Sequence, residues 1–145
     1  MIQRIQTIFL AVASGSFFAQ FGLPFLSASN SDKGLFNDLV YNISDNTGLL
    51  VVAVLGGLIS ALAIILFNNR PLQSKITYVA MLLGILLPVL AVVFLVQGGY
   101  AFPIEGGYSY GAGLFLPIVS IVLLVLAARF INKDEKLVRD SDRLR

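Results

Sequence analysis

The sequence predicts an all-α membrane protein, a bundle of four transmembrane helices, and three observations carry that prediction. Apolar residues make up 57% of the 145 and charged residues only 12%, against roughly a quarter charged in an ordinary soluble domain. The apolar residues gather in four long runs, none of which contains an acidic residue. Nine of the eighteen charged side chains crowd into the last fourteen residues, "NKDEKLVRDSDRLR".

About twenty helical residues, each rising 1.5 Å, cross a hydrocarbon layer about 30 Å thick. The runs at 5–26, 48–67, 76–96 and 112–131 meet that length. Lipid offers no hydrogen bonds to the backbone, so helices are expected, and the runs are too long for barrel strands. The first run has the basic start and the "AVA" triplet of a cleavable signal, but apolar residues continue past that triplet through Phe17, Phe18, Phe21 and Phe25. It is therefore expected to be retained as helix one of a single membrane domain, residues 1–145.

Between the runs, the inner loop 68–75, "NNRPLQSK", suits a tight turn, because Pro71 cannot continue a helix and asparagines accept turn geometry. The outer loops, 27–47 and 97–111, are longer. In the first, Leu35, Leu39 and Ile43 share the face of a short interfacial helix. In the second, "YAFPIEGGYSY" reads as a small β-hairpin or as an aromatic belt at the lipid boundary. Residues 132–145 form a tail that, wound as a helix, aligns Phe130, Leu137 and Leu144 at seven-residue intervals, with Ile131 and Val138 beside them.

Lysine and arginine set the orientation, because short cytoplasmic loops retain them. Nine of the ten cations (Arg4, Arg70, Lys75, Arg129, Lys133, Lys136, Arg139, Arg143 and Arg145) fall on one side of the four runs, and only Lys33 on the other. Both termini are accordingly expected in the cytoplasm.

Within the runs, small residues recur at four-residue spacing: Ala11, Gly15 and Ala19 in the first, Ala53, Gly57 and Ala61 in the second. Such stripes allow close helix approach and are expected to face inward. Gln20, Ser14, Ser16, Ser60 and Ser120 are expected to serve packing. Pro88 and Pro117, each four residues after a glycine, predict bends in helices three and four.

The chain has no cysteine, histidine or tryptophan. No thiolate or imidazole chemistry is therefore available, and no His or Cys metal ligand. No catalytic, cofactor or metal site is expected, and a net charge of +2 gives no case for nucleic acid.

The start "MIQRIQT", the inner "NRPLQ" and the end "KDEKLVR" followed by "DRLR" resemble a bacterial family of small four-helix membrane proteins classed as a domain of unknown function. The resemblance implies an inner-membrane protein with both ends in the cytoplasm and carries no activity, cofactor or substrate. The matching stretches all fall on the cationic side. There, Arg4, Arg70 and Lys75 are expected to meet Asp134 and Glu135 and to dock the tail, with Leu137 and Leu144 on its apolar stripe. Lys136, Arg139 and Arg143 are left for a protein partner, a second copy or membrane lipid. The expected role is a non-enzymatic accessory subunit or scaffold. The competing expectation is a small transporter or channel that uses the bends of helices three and four.

Overall fold

The computed structural model describes residues 3–29, 35–36, 38–100 and 107–142. Four helices account for most of them: α1 (Gln3–Ala19), α2 (Thr47–Ile65), α3 (Arg70–Gln97) and α4 (Leu116–Asp142). Three short strands, β1 (Leu26–Ala28), β2 (Val40–Tyr41) and β3 (Tyr108–Tyr110), form an antiparallel sheet of order β2-β1-β3 at one end. In the helix ring, α1 packs against α2 and α4, and α3 packs against the same two.

Three of the helices are long and apolar enough to cross a membrane, and α1 is shorter. Their outward faces are as apolar as their inward ones: Leu58 and Leu62 on α2, Leu82 and Val89 on α3, and Ile118 and Val122 on α4 are all exposed. Helices apolar all round, with leucine and valine on the outside, take hydrocarbon as their solvent.

The centre is set by Phe17, which is fully buried. A Cβ added at Gly56 of α2 would lie 2.5 Å from its ring, and one at Gly84 of α3 would lie 3.4 Å away. The bundle closes around one aromatic ring because α2, beside α1, and α3, across from it, each present glycine to it. Leu10, Ala13 and Ser14 complete the buried seam of α1 with Phe17, at the i, i+3, i+4, i+7 spacing of one helix face. The stripe expected to face inward is turned out instead. Ala11, Gly15 and Ala19 are exposed, and nothing lies within 4 Å of a Cβ built at Gly15. Close approach on this seam comes from the small residues of α2, of which Ala53 and Gly57 are buried as expected.

The serines are held by carbonyls. Ser14 donates to Gly57 across the α1–α2 seam at 2.9 Å, while Ser16, Ser60 and Ser120 donate to carbonyls of their own helices at 2.7–2.9 Å. Gln20 is buried at the sheet end, and neither of its amide atoms has a partner among the described residues.

Several expected boundaries move. Helix one ends at Ala19 rather than at residue 26, because Phe21 and Gly22 turn back onto the carbonyls of Phe18 and Ala19, and Pro24 disfavours helix at the residue before it. Phe25 and Leu26 then enter the sheet. The inner loop shrinks almost to Asn69: Leu66–Asn68 form a 3-10 turn, and Arg70 already begins α3. Pro71 opens that helix, where its missing N–H is harmless. Pro88 lies inside the continuous α3. Pro117 is the second residue of α4, not a mid-helix position, so its missing N–H removes no hydrogen bond from that helix. The tail is an unbroken continuation of α4 as far as Asp142.

Among the described residues the outer loops form the sheet, and Leu35, Leu39 and Ile43 do not share an interfacial helix. Leu39 has a φ of 66°, which no helix accommodates, and Val40–Tyr41 follow as strand. β3 pairs with β1, Tyr108 opposite Ala28 and Tyr110 opposite Leu26; the other arm expected of the hairpin, residues 101–106, lies outside the described residues. The sheet thus ties both outer loops together. Phe36 stacks edge-on against Tyr100 at 5.0 Å and tilts against Tyr108 at 5.0 Å. The Tyr41 hydroxyl donates to the Ala91 carbonyl of α3 at 3.0 Å, which anchors the sheet to the helices. Burial, reinforced by the charge of Asp45, pushes this phenol up to about 12.

Candidate functional site: a groove at the basic end

At the end opposite the sheet, α2 passes into α3 through the shortest connection in the fold. The Asn69 side chain accepts from the N–H of Leu72 at 3.3 Å, and its backbone N–H donates to Leu66 at 3.0 Å. That caps the new helix while closing the old one. Gln73, expected in a loop, is fully buried on α3, and its Nε2 donates to the Ala63 carbonyl of α2 at 2.8 Å. The hairpin is therefore held by a side chain as well as by its turn. The Oε1 atoms of Gln73 and of Gln6, which is buried on α1, have no partner among the described residues.

The extension of α4 lies against this hairpin through three polar contacts. Ser74 donates to Oδ1 of Asn132 at 2.7 Å, and Nδ2 of Asn132 donates to the Tyr78 hydroxyl at 2.8 Å. Half-buried Arg70 reaches across with Nη1 to the main-chain carbonyl of Asp134 at 3.1 Å. Each donor meets its acceptor within good hydrogen-bond range.

Arg70 reaches Asp134, but not through the expected pairing of charges. The acceptor is the backbone of Asp134, and the residue itself is buried at 6% exposure. Lys75 points outward and is exposed. Leu137 is 53% exposed and so does not dock the tail; α4 turns it away, and Ile131 occupies the buried position instead. The side chain of Arg4, together with Arg143 and Leu144, lies outside the described residues.

Beyond Asp134 the two elements part and leave a groove of about 530 Å³. Phe67, Asn68, Arg70 and Pro71 form one wall, and Glu135, Val138 and Arg139 form the other. Two guanidinium groups and one carboxylate therefore share a cleft with an aromatic ring and an aliphatic side chain. Lys136 is exposed on the same extension. Among the described residues, no group of three or more His, Cys, Asp or Glu is placed to hold a metal ion.

The Asn132 bridge and buried Gln73 escape a reading by charge, because both are neutral. The only sequence signal for them is the polar spacing Gln73, Ser74, Thr77, Tyr78, at i, i+1, i+4 and i+5. That spacing marks one helix face only once α3 is known to begin at Arg70.

Apolar helices whose outward faces suit lipid, a small sheet over one end and a charged helical extension at the other define a small membrane protein. The chain belongs to the family described as a domain of unknown function (DUF4293), which matches residues 2–144. A comparison with curated proteins gives no match.

Proposed function

We propose that this protein is a non-enzymatic accessory subunit or scaffold of a bacterial inner membrane, crossing it four times with both termini in the cytoplasm. A protein partner docks on the extension of α4. One observation carries this reading: α4 runs 27 residues without a break, about 40 Å at 1.5 Å per residue, against a hydrocarbon layer of about 30 Å. The projecting part is held by Asn132 and Arg70 and presents exposed Lys136, Leu137 and Arg139 to the aqueous side.

Orientation is inferred from the nine cations that the sequence puts on this side of the apolar runs, since short translocated loops seldom carry them. Helix α1 supplies the fourth crossing together with the apolar stretch Phe21–Leu26, which lengthens its path through lipid. A transport role would need hydroxyls lining a polar path. Here Ser14, Ser16, Ser60 and Ser120 are committed to helix carbonyls, and Phe17 fills the centre. These features favour docking.

The test is purification of tagged full-length protein at its native level in mild detergent, after crosslinking in cells. A stoichiometric protein companion is expected for the wild type, and it is lost when Lys136 and Arg139 are both changed to glutamate. Isolation of the protein without a companion removes the reading, as does equal retention by the charge-reversed variant and by a chain truncated after Asn132.

A further inference from the structure

On the membrane reading of the helices, the groove between the α2–α3 turn and the α4 extension borders the lipid headgroup layer. Glu135 is four residues past Ile131, the last residue of the fourth apolar run, and Arg70 is six residues before Ile76, the first of the third. At 1.5 Å per residue these are about 6 and 9 Å beyond the hydrocarbon edge, within and just past a headgroup layer about 5–8 Å thick, and the long side chains of Arg70 and Arg139 can reach back toward its phosphates.

The charges in the groove are of both signs. Arg70 and Arg139 lie on opposite walls, with Glu135 beside Arg139 on the second. A guanidinium presents five N–H donors in a planar fork that matches phosphate oxygens. Arg70 commits Nη1 to the Asp134 carbonyl, which fixes its plane and leaves donors facing the cleft. A carboxylate in the same cleft is unfavourable for a purely anionic guest, because like charges repel at short range. It is favourable for a guest that carries an ammonium close to its phosphate.

The walls also supply an apolar route. Phe67, 48% exposed, and Ile65, 69% exposed, connect the groove to the apolar flank of α2. A molecule with a phosphodiester, a primary ammonium and acyl chains would meet each of these surfaces with its complement.

We propose that this groove is a binding site for an amino phospholipid, phosphatidylethanolamine. Its phosphate lies between Arg70 and Arg139, its ammonium against Glu135, and its acyl chains run past Phe67 along α2. The proposal rests on the membrane reading of the helices and not on the protein-partner reading, because lipid retention and partner retention are separate measurements.

The experiment is native mass spectrometry of the full-length protein in detergent. It is titrated separately with phosphatidylethanolamine, phosphatidylcholine and phosphatidylglycerol, all with palmitoyl and oleoyl chains. Wild-type protein is expected to retain phosphatidylethanolamine at least tenfold better than either other lipid. Arg139→Gln, at an exposed position that folding does not need, weakens that retention about tenfold. Glu135→Gln abolishes the preference over phosphatidylglycerol while leaving a bound phospholipid. Arg70→Gln weakens all three lipids; because Arg70 also holds the tail, its melting temperature is recorded alongside. Equal retention of the three lipids by the wild type overturns the proposal, as does unchanged selectivity in Glu135→Gln or unchanged retention in Arg139→Gln.

Discussion

The ring of Phe17 lies so close over Gly56 that a methyl group built on the glycine would sit 2.5 Å from Cε1. Phe17 is fully buried, and its other flank faces Gly84 of α3, so it cannot retreat without disturbing a second helix. Gly56→Ala is expected to destabilise the fold by about 1–3 kcal/mol, the usual penalty for overpacking. Gly15→Ala, with nothing within 4 Å, is expected to be neutral or slightly favourable in helix propensity. Thermal unfolding in detergent measures both, and equal melting temperatures would refute the assignment of the seam.

At the sheet end, Gly113 faces main chain and not a side chain. A Cβ there would lie 2.3 Å from the Leu23 carbonyl oxygen, and no rotamer change relieves that contact. Gly113→Ala should force the 112–114 turn away from the Pro24 loop and break the 3.0 Å bond from the Gly113 N–H to the Pro24 carbonyl. Hydrogen exchange should rise at Gly111 and Gly113 in the variant while the middle of α3 stays protected.

Tyr41 makes a prediction about alkaline pH. Its folded value is raised from 10.0 to about 12, chiefly by burial and secondarily by the charge of Asp45. A raised value means that the fold favours the protonated phenol. This stabilisation is complete below pH 10 and is lost as the pH rises from 10 to about 12. Absorbance at the phenolate band should show one late-titrating tyrosine that disappears in Tyr41→Phe. Asp45→Asn should move it down only partly, because burial is the larger cause.

The Ser74–Asn132–Tyr78 bridge should be measurable as a coupling. Asn132→Ala removes two hydrogen bonds and is expected to lower stability by about 0.5–1.5 kcal/mol. In a double-mutant cycle with Ser74→Ala the two effects should fall short of additivity by about half a kcal/mol. Strict additivity would mean that the contact does not hold the extension of α4.

Much of the fold was legible in residue chemistry. Apolar runs marked helices two, three and four, because a lipid-facing helix needs apolar side chains on every face. The tail helix was expected from the seven-residue spacing of Phe130, Leu137 and Leu144, and α4 does run on to Asp142, although it turns Leu137 and Val138 outward. The end of α1 was not legible: Phe21, Phe25 and Leu26 are as apolar as the helix before them, and only pairing with β2 and β3 draws them into a sheet. Nor was the direction of the small-residue stripes, since Ala11, Gly15 and Ala19 have the same spacing whether they face lipid or a neighbour.

At the basic end, charge placed Arg70, Glu135 and Arg139 on one side of the membrane, and the groove brings these three together. The sequence paired Arg70 with a carboxylate, whereas it holds the Asp134 carbonyl, because helix α4 continues unbroken and buries Asp134 at that point. The amino acids alone determined the solvent, the helices and the segregation of charge, because burial of apolar surface and exclusion of ions from lipid are additive along a chain. Tertiary structure alone decided which face turns inward, which loops pair and which donor finds which acceptor. Those choices depend on shape across sequence separations, as when Phe17 selects the two glycines, 39 and 67 residues away, that leave room for its ring.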